Sequence, residues 1–130
     1  MNTPSELTLE QVLQICSSCI EFASNYPRDA NSFGTDNSVL HVAVFSGNAR
    51  FVRVLIENGA KVNCRGDMGN TALHDAVARN ENGIIELLVH AGADVTIKNE
   101  FGETPLDAAK KRGMKRTINL MKQTQSGRRG

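Results

Sequence analysis

Tryptophan is absent from this 130-residue sequence, tyrosine occurs once, and aromatic residues make up 5% in all. So few rings leave Leu, Ile, Val and Ala to fill the core, which suits thin, closely spaced helices. Cysteines number three, an odd count that fits no disulfide framework. No apolar run approaches the roughly 20 residues needed to span a bilayer. The opening MNTPSELTLEQ has no basic region followed by an apolar one, so no secretory signal is expected. Together these absences predict a cytoplasmic protein, with the nucleus as the alternative. Also missing are a Gly-rich loop after a strand, an HExxH motif and a nucleophile elbow. No catalytic activity, cofactor or metal site is therefore expected.

Hydrophobic residues at 40% and charged residues at 22% are ordinary for one small folded unit. The net charge of +1 hides a division. Residues 1–109 carry seven basic and fourteen acidic side chains, a net −7, whereas 110–130 carry eight basic and no acidic ones.

The dominant signal is a repeat. Gly69, Thr71, Leu73 and Ala76 recur 33 positions later as Gly102, Thr104, Leu106 and Ala109. Stepping back by 33 finds Ser38, Leu40, His41 and Ala43, and Gly59-Ala60-Lys61-Val62 is echoed by Gly92-Ala93-Asp94-Val95. A fixed period of this length marks a stacked array. With its TALH and TPLD phrases and the LIENGAKVN and LLVHAGADV phrases, the chain resembles the ankyrin repeat over roughly residues 30–123. The resemblance implies an all-α solenoid of helix-turn-helix units with protruding β-turn fingers, closed by an N-terminal capping helix.

In chain order, residues 1–30 are expected to form that cap. Leu9, Val12, Leu13, Cys16, Cys19, Ile20 and Ala23 make one apolar stripe over a helix at 8–24, with Thr8 and Gln11 as a capping box. Three repeats follow at about 31–65, 66–98 and 99–123, then a flexible polar and basic tail at 124–130. Asp36 stands where the later copies have Gly69 and Gly102. Thr71 and Thr104 are placed to cap first helices, with Pro105 at the first helical position. Gly47, Asn80 and Gly113 fall at the turns between helices, where a left-handed residue is needed. In the last unit Thr117 replaces Phe51 and Ile84, and Lys110, Lys111, Lys115 and Arg116 polarise the outer side.

Cys16 and Cys19 lie mid-helix on the apolar stripe with no second CxxC, so burial is favoured over redox or zinc chemistry. The resemblance makes His41 and His74 structural, bonding between neighbouring turns, while Asp107 fills the third histidine slot and His90 faces solvent. It also implies protein binding through the turn tips and the exposed side of each first helix. Carried over by position, the tip residues are Thr35 and Asn37, then Asp67, Met68 and Asn70, then Glu100, Phe101 and Glu103. The helix-side residues are Phe45, then Asp75 and Arg79, then Lys111 and Arg112. Met68 and Phe101 stand out, because a loop tip offers a large apolar side chain little burial within its own chain. The expected partner is another protein, bound by a monomer or within a hetero-complex, with inhibitor, immunity protein or adaptor as candidate roles. The basic stretch at 110–129 supports the rival reading of nucleic-acid or acidic-surface binding. Stacking aromatics are missing there, which disfavours nucleic acid.

Overall fold

A computed structural model describes residues 8–16 and 39–127, with side chains at 8–12 and 39–124. Seven helices and no strand occur among the described residues. They are α1 (Leu9–Cys16), α2 (Val39–Phe45), α3 (Ala49–Glu57), α4 (Ala72–Ala78), α5 (Asn82–His90), α6 (Pro105–Lys111) and α7 (Lys115–Gly127). Each repeat is one antiparallel pair: α2 with α3, α4 with α5, α6 with α7. The pairs stack in two layers, first helices α2–α4–α6 and second helices α3–α5–α7, and α1 closes the open end against α2 and α3. The all-α solenoid expected from the repeat is the observed architecture.

Helices of seven to nine residues are too short to persist alone. In α2 the β-branched Val39, Val42 and Val44 add low intrinsic propensity. Burial holds them: Val39, Ala43 and Val44 are fully enclosed and Leu40 nearly so. The core runs without a break through Val12, Leu55, Leu73, Ile84, Ile85 and Leu88 to Met121. Truncating one such leucine to alanine removes about 2–5 kcal/mol. Ala43, Ala76 and Ala109 are each wholly buried, and their small size lets consecutive first helices approach.

The helix ends follow the sequence signals. Thr8 and Gln11 form the reciprocal capping box, Thr8 N–H to Gln11 Oε1 at 2.9 Å and Gln11 N–H to Thr8 Oγ1 at 3.2 Å. Thr71 and Thr104 cap α4 and α6, and Asn48 caps α3 by accepting from Arg50 and Phe51 N–H. α4 closes with Asn80 N–H on Val77 C=O at 3.1 Å and Glu81 N–H on Ala76 C=O at 3.0 Å. That pair of bonds is a Schellman motif. Asn80 supplies the left-handed residue it requires, at φ 56°, where the other two repeats place Gly47 and Gly113.

The C-terminal helix is longer than expected. α7 runs on to Gly127, through the start of the expected tail. There the Thr124 hydroxyl donates to the Leu120 and Met121 carbonyls instead of interrupting the helix. Thr117, which replaces the apolar Phe51 and Ile84, is itself buried. The remainder of the expected 8–24 helix, the side chains of Cys16 and Cys19, and the first finger with Thr35, Asp36 and Asn37 lie outside the described residues.

The αL position at Asn80 yields a stability test. Asn80→Ala is expected to lower the unfolding free energy by about 1–2 kcal/mol, a fall of several degrees in Tm by calorimetry. Asn80→Gly should leave it unchanged or slightly raised.

Candidate interaction surface

The fingers carry the residues that could meet a partner, and their shape comes from short turns. In the second finger Asp67 to Gly69 make a single 3-10 turn, and Asn70 N–H closes on Asp67 C=O at 3.1 Å. Its central residues Met68 and Gly69 have φ 59° and 72°. Left-handed backbone suits Gly69 but is unusual for methionine. Gly69 is also needed sterically: a Cβ there would stand 3.0 Å from the Glu100 backbone nitrogen. In the third finger Gly102 is left-handed and Phe101 is not. Instead the Asn99 carboxamide oxygen accepts from Phe101 N–H at 2.9 Å and Glu103 N–H at 3.0 Å. The two fingers reach similar tips by different turns.

They are tied to each other and to the helices. Glu100 N–H donates to Met68 C=O at 3.0 Å, and Asn99 Nδ2 donates to Asn70 Oδ1 at 2.9 Å. His41 Nε2 donates to Asn70 C=O at 2.9 Å, and His74 Nε2 repeats the bond to Glu103 C=O at 2.8 Å. His74 Nδ1 accepts from Thr71 N–H at 3.0 Å, which fixes the neutral tautomer with its proton on Nε2. Burial lowers the His74 pKa, against the opposing pull of the Glu103 carbonyl and carboxylate. Asp107, in the third histidine slot, bonds back to Thr104 N–H at 3.2 Å and completes a capping box instead. Its carboxyl is held below the usual range chiefly by those Thr104 bonds. His90 is exposed, as expected.

Against this framework the expected site residues separate. Met68 is 49% exposed and Phe101 73%, on adjacent tips, and Phe45 is 37% exposed at the end of α2. Arg79 lies over the Phe45 ring, its Cζ 5.9 Å from the centroid, within cation–π range. Beside Phe101 an open depression of about 320 Å³ is lined by Gly102, Glu103, Asp107 and Lys111. Asp67 and Glu100 are exposed next to the two apolar tips.

Other expected contacts are engaged within the fold. Asn70 accepts from His41 through its carbonyl and from Asn99 through its side chain. Glu103 accepts from His74 and pairs with Lys111 at 2.6 Å, raising the lysine pKa through that bond. Arg112 donates Nη2 to Ala78 C=O at 2.6 Å and Nε to Val77 C=O at 3.4 Å, so it caps α4 of the neighbouring repeat. Arg116 pairs with Glu86 at 3.5 Å. Among the cations with described side chains, Lys111, Arg112 and Arg116 thus have partners inside the protein, which reduces the charge a polyanion would meet. Thr35 and Asn37 lie outside the described residues.

Asp75 differs most from its expected place on an open helix face. It is only 9% exposed, and Oδ2 is buried with no hydrogen-bond partner. The offset of 33 held the signal: the same slot is Val42 in the first repeat and Ala108 in the third. Burial pushes this carboxyl up to about 7, with Arg79 opposing and Asp67 adding to the rise.

A family model of ankyrin repeats in three copies matches residues 10–99, more than half of the chain. The protein belongs to the ankyrin-repeat family. The match begins within α1 and ends at the third finger, whereas the repeated phrase extends to the α6–α7 pair, which continues the stack. Ankyrin repeats are in general protein–protein interaction modules, and the family is typically non-catalytic. A search of curated proteins finds no match. Among the described residues no helix is long and apolar enough to cross a membrane.

Asp75 gives this ankyrin-repeat protein a distinctive pH dependence. The folded chain holds the Asp75 proton up to about pH 7, whereas the carboxyl's ordinary value is 3.8. Between these values the folded state binds more protons, so Asp75 makes stability fall as pH rises from about 4 to about 7. The accumulated loss is on the order of 4 kcal/mol as an upper bound. Asp75→Asn should therefore raise Tm above neutral pH, and the gain should shrink toward zero near pH 4. Paired thermal melts across pH check this, since the difference between the two proteins cancels the opposite trend from His74.

Proposed function

We propose that the protein is a non-catalytic binding module that captures a protein partner on its finger tips and the adjoining inner helix face. Met68 and Phe101 are its apolar anchors and Phe45 a third contact. The observation that carries this reading is their exposure: two large apolar side chains stand bare on adjacent tips that a backbone bond holds together. Exposed apolar residues on a rigid rim, with carboxylates around them, have the composition of a binding hot spot. The backbone at Met68 supports it too. A left-handed methionine is strained, and glycine would fit the turn better, so stability does not account for the residue. Asp67 and Glu100 flank the anchors and favour a partner with basic groups at its rim. The role that follows is occlusion of the partner's working surface, as an inhibitor or immunity protein, or its recruitment as an adaptor in the cytoplasm. The protein acts as a monomer within such a hetero-complex.

The test uses a partner first isolated by affinity capture from the protein's own cells at high salt. Met68→Ala and Phe101→Ala should each weaken its Kd by tenfold or more, on the scale of about 2 kcal/mol per hot-spot residue, with Tm unchanged. Met68→Gly is expected to weaken binding while holding or raising Tm, because it relieves the turn. Unaltered affinity in all three variants would remove the tips from the interface. Recovery only of nucleic acid that washes off with salt would move the function to the basic surface of α6 and α7.

A further inference from the structure

The inner face of the middle repeat holds one guanidinium and two groups that compete for it. Arg79 follows α4 at its C-terminal end and lies over the Phe45 ring of α2. One turn earlier, Asp75 keeps a buried oxygen without a partner. Residues four apart on a helix face each other, and an acid preceding a base is the favourable order. Even so, Arg79 is not joined to Asp75, whereas Lys111 pairs with Glu103 and Arg116 with Glu86. The arrangement observed is the one that suits a neutral carboxyl, since an ionised one would be an uncompensated charge in a slot otherwise held by Val42 and Ala108.

We propose that Arg79 is a two-position switch, stacked on Phe45 when Asp75 is protonated and paired with Asp75 when it is ionised, so that the inner face alternately covers and bares the Phe45 ring. The stacked position is the one seen. Arg79 is exposed, and its long side chain can cross from ring to carboxylate without moving the backbone. Around α4, the charges that reach Asp75 are those of Arg79 and Asp67. Of the other ionisable groups on the packed elements, His41 bonds Asn70, Arg112 the α4 carbonyls and Asp107 the Thr104 N–H. Lys111 pairs with Glu103 and Glu86 with Arg116, and Glu81, His90 and Lys110 add nothing to the charge that reaches Asp75. Burial delays the loss of the Asp75 proton toward neutrality, and the approach of Arg79 draws the transition back down. The consequence for binding rests on the inner-face reading above: an apolar side chain of the partner meets a bare ring above the transition and a guanidinium below it.

The experiment is a side-chain NMR titration of the full chain alone, from about pH 4 to about pH 9. At low pH the Arg79 Hδ and Hε resonances should carry an upfield ring-current displacement from Phe45. That displacement should be lost along the same curve as the Asp75 carboxyl carbon. In Asp75→Asn it should persist at both extremes, and in Phe45→Leu it should be absent throughout. Arg79→Gln should shift the Asp75 midpoint upward, an outcome that does not depend on the Asn variant folding. A displacement that stays constant while Asp75 titrates would overturn the switch, as would an Asp75 midpoint in the ordinary carboxylate range. No partner is present, so either result stands apart from the outcome of the Met68 and Phe101 binding test.

Discussion

A finger carbonyl in this protein is satisfied by a histidine 29 residues earlier in sequence but adjacent in space. His41 donates to Asn70 and His74 to Glu103, each across 29 residues. These bonds set the spacing between repeats, and the other contacts fall into place around them. The ring can donate only in the tautomer that Thr71 N–H selects by bonding Nδ1, and Thr71 is also the cap of α4. One residue pair therefore starts the helix, orients the ring and holds the next finger. Where Asp107 takes the histidine slot the cap survives and the bond to a following finger does not form. The α6–α7 pair is held to the repeat before it by the His74 and Asn99 bonds at its own finger, by side-chain packing and by the Arg112 cap.

Such a framework leaves the protein's variable chemistry in places that stacking does not consume. Position by position, the second and third fingers use the same slot for structure, the carbonyls of Asn70 and Glu103, and leave the side chains open at Met68 and Phe101. The strained methionine and the bare phenylalanine are both costly as surface residues, one in backbone conformation and one in apolar exposure. Neither contributes to the core, and that separation of scaffold from tip is what allows a solenoid to bind without rearranging.

Asp75 belongs to neither group. An apolar slot in the inner layer holds a carboxyl whose protonation is coupled to its burial, next to an arginine occupied by an aromatic ring. Ionisation of Asp75 is thus a cost that the middle repeat bears as pH rises. In a quasi-one-dimensional stack, stability is approximately a sum over neighbours, so a cost in the central unit is felt by both interfaces.

The sequence by itself determined the repeat, its period, the two-helix unit, the threonine caps and the left-handed closure at Asn80, and the ankyrin resemblance supplied the structural role of His41 and His74. These are local or periodic, and each is encoded within a few residues or in one fixed offset. It also placed Met68 and Phe101 at the tips, since any ankyrin-like turn would expose them. Only the tertiary structure decided which of the remaining polar residues were available. Asn70, Glu103, Lys111 and Arg112 look like surface groups along the chain. Asn70 meets an asparagine on the next finger, Glu103 a histidine of the preceding repeat's first helix, and Arg112 the α4 carbonyls 34 and 35 positions earlier, all brought near by stacking. Lys111 pairs with Glu103 within its own repeat. Asp75 looks exposed along the chain for the same reason. Helical periodicity tells which face a residue lies on, whereas its burial depends on how closely α2 and α6 approach α4, and that distance is set by the bonds between repeats.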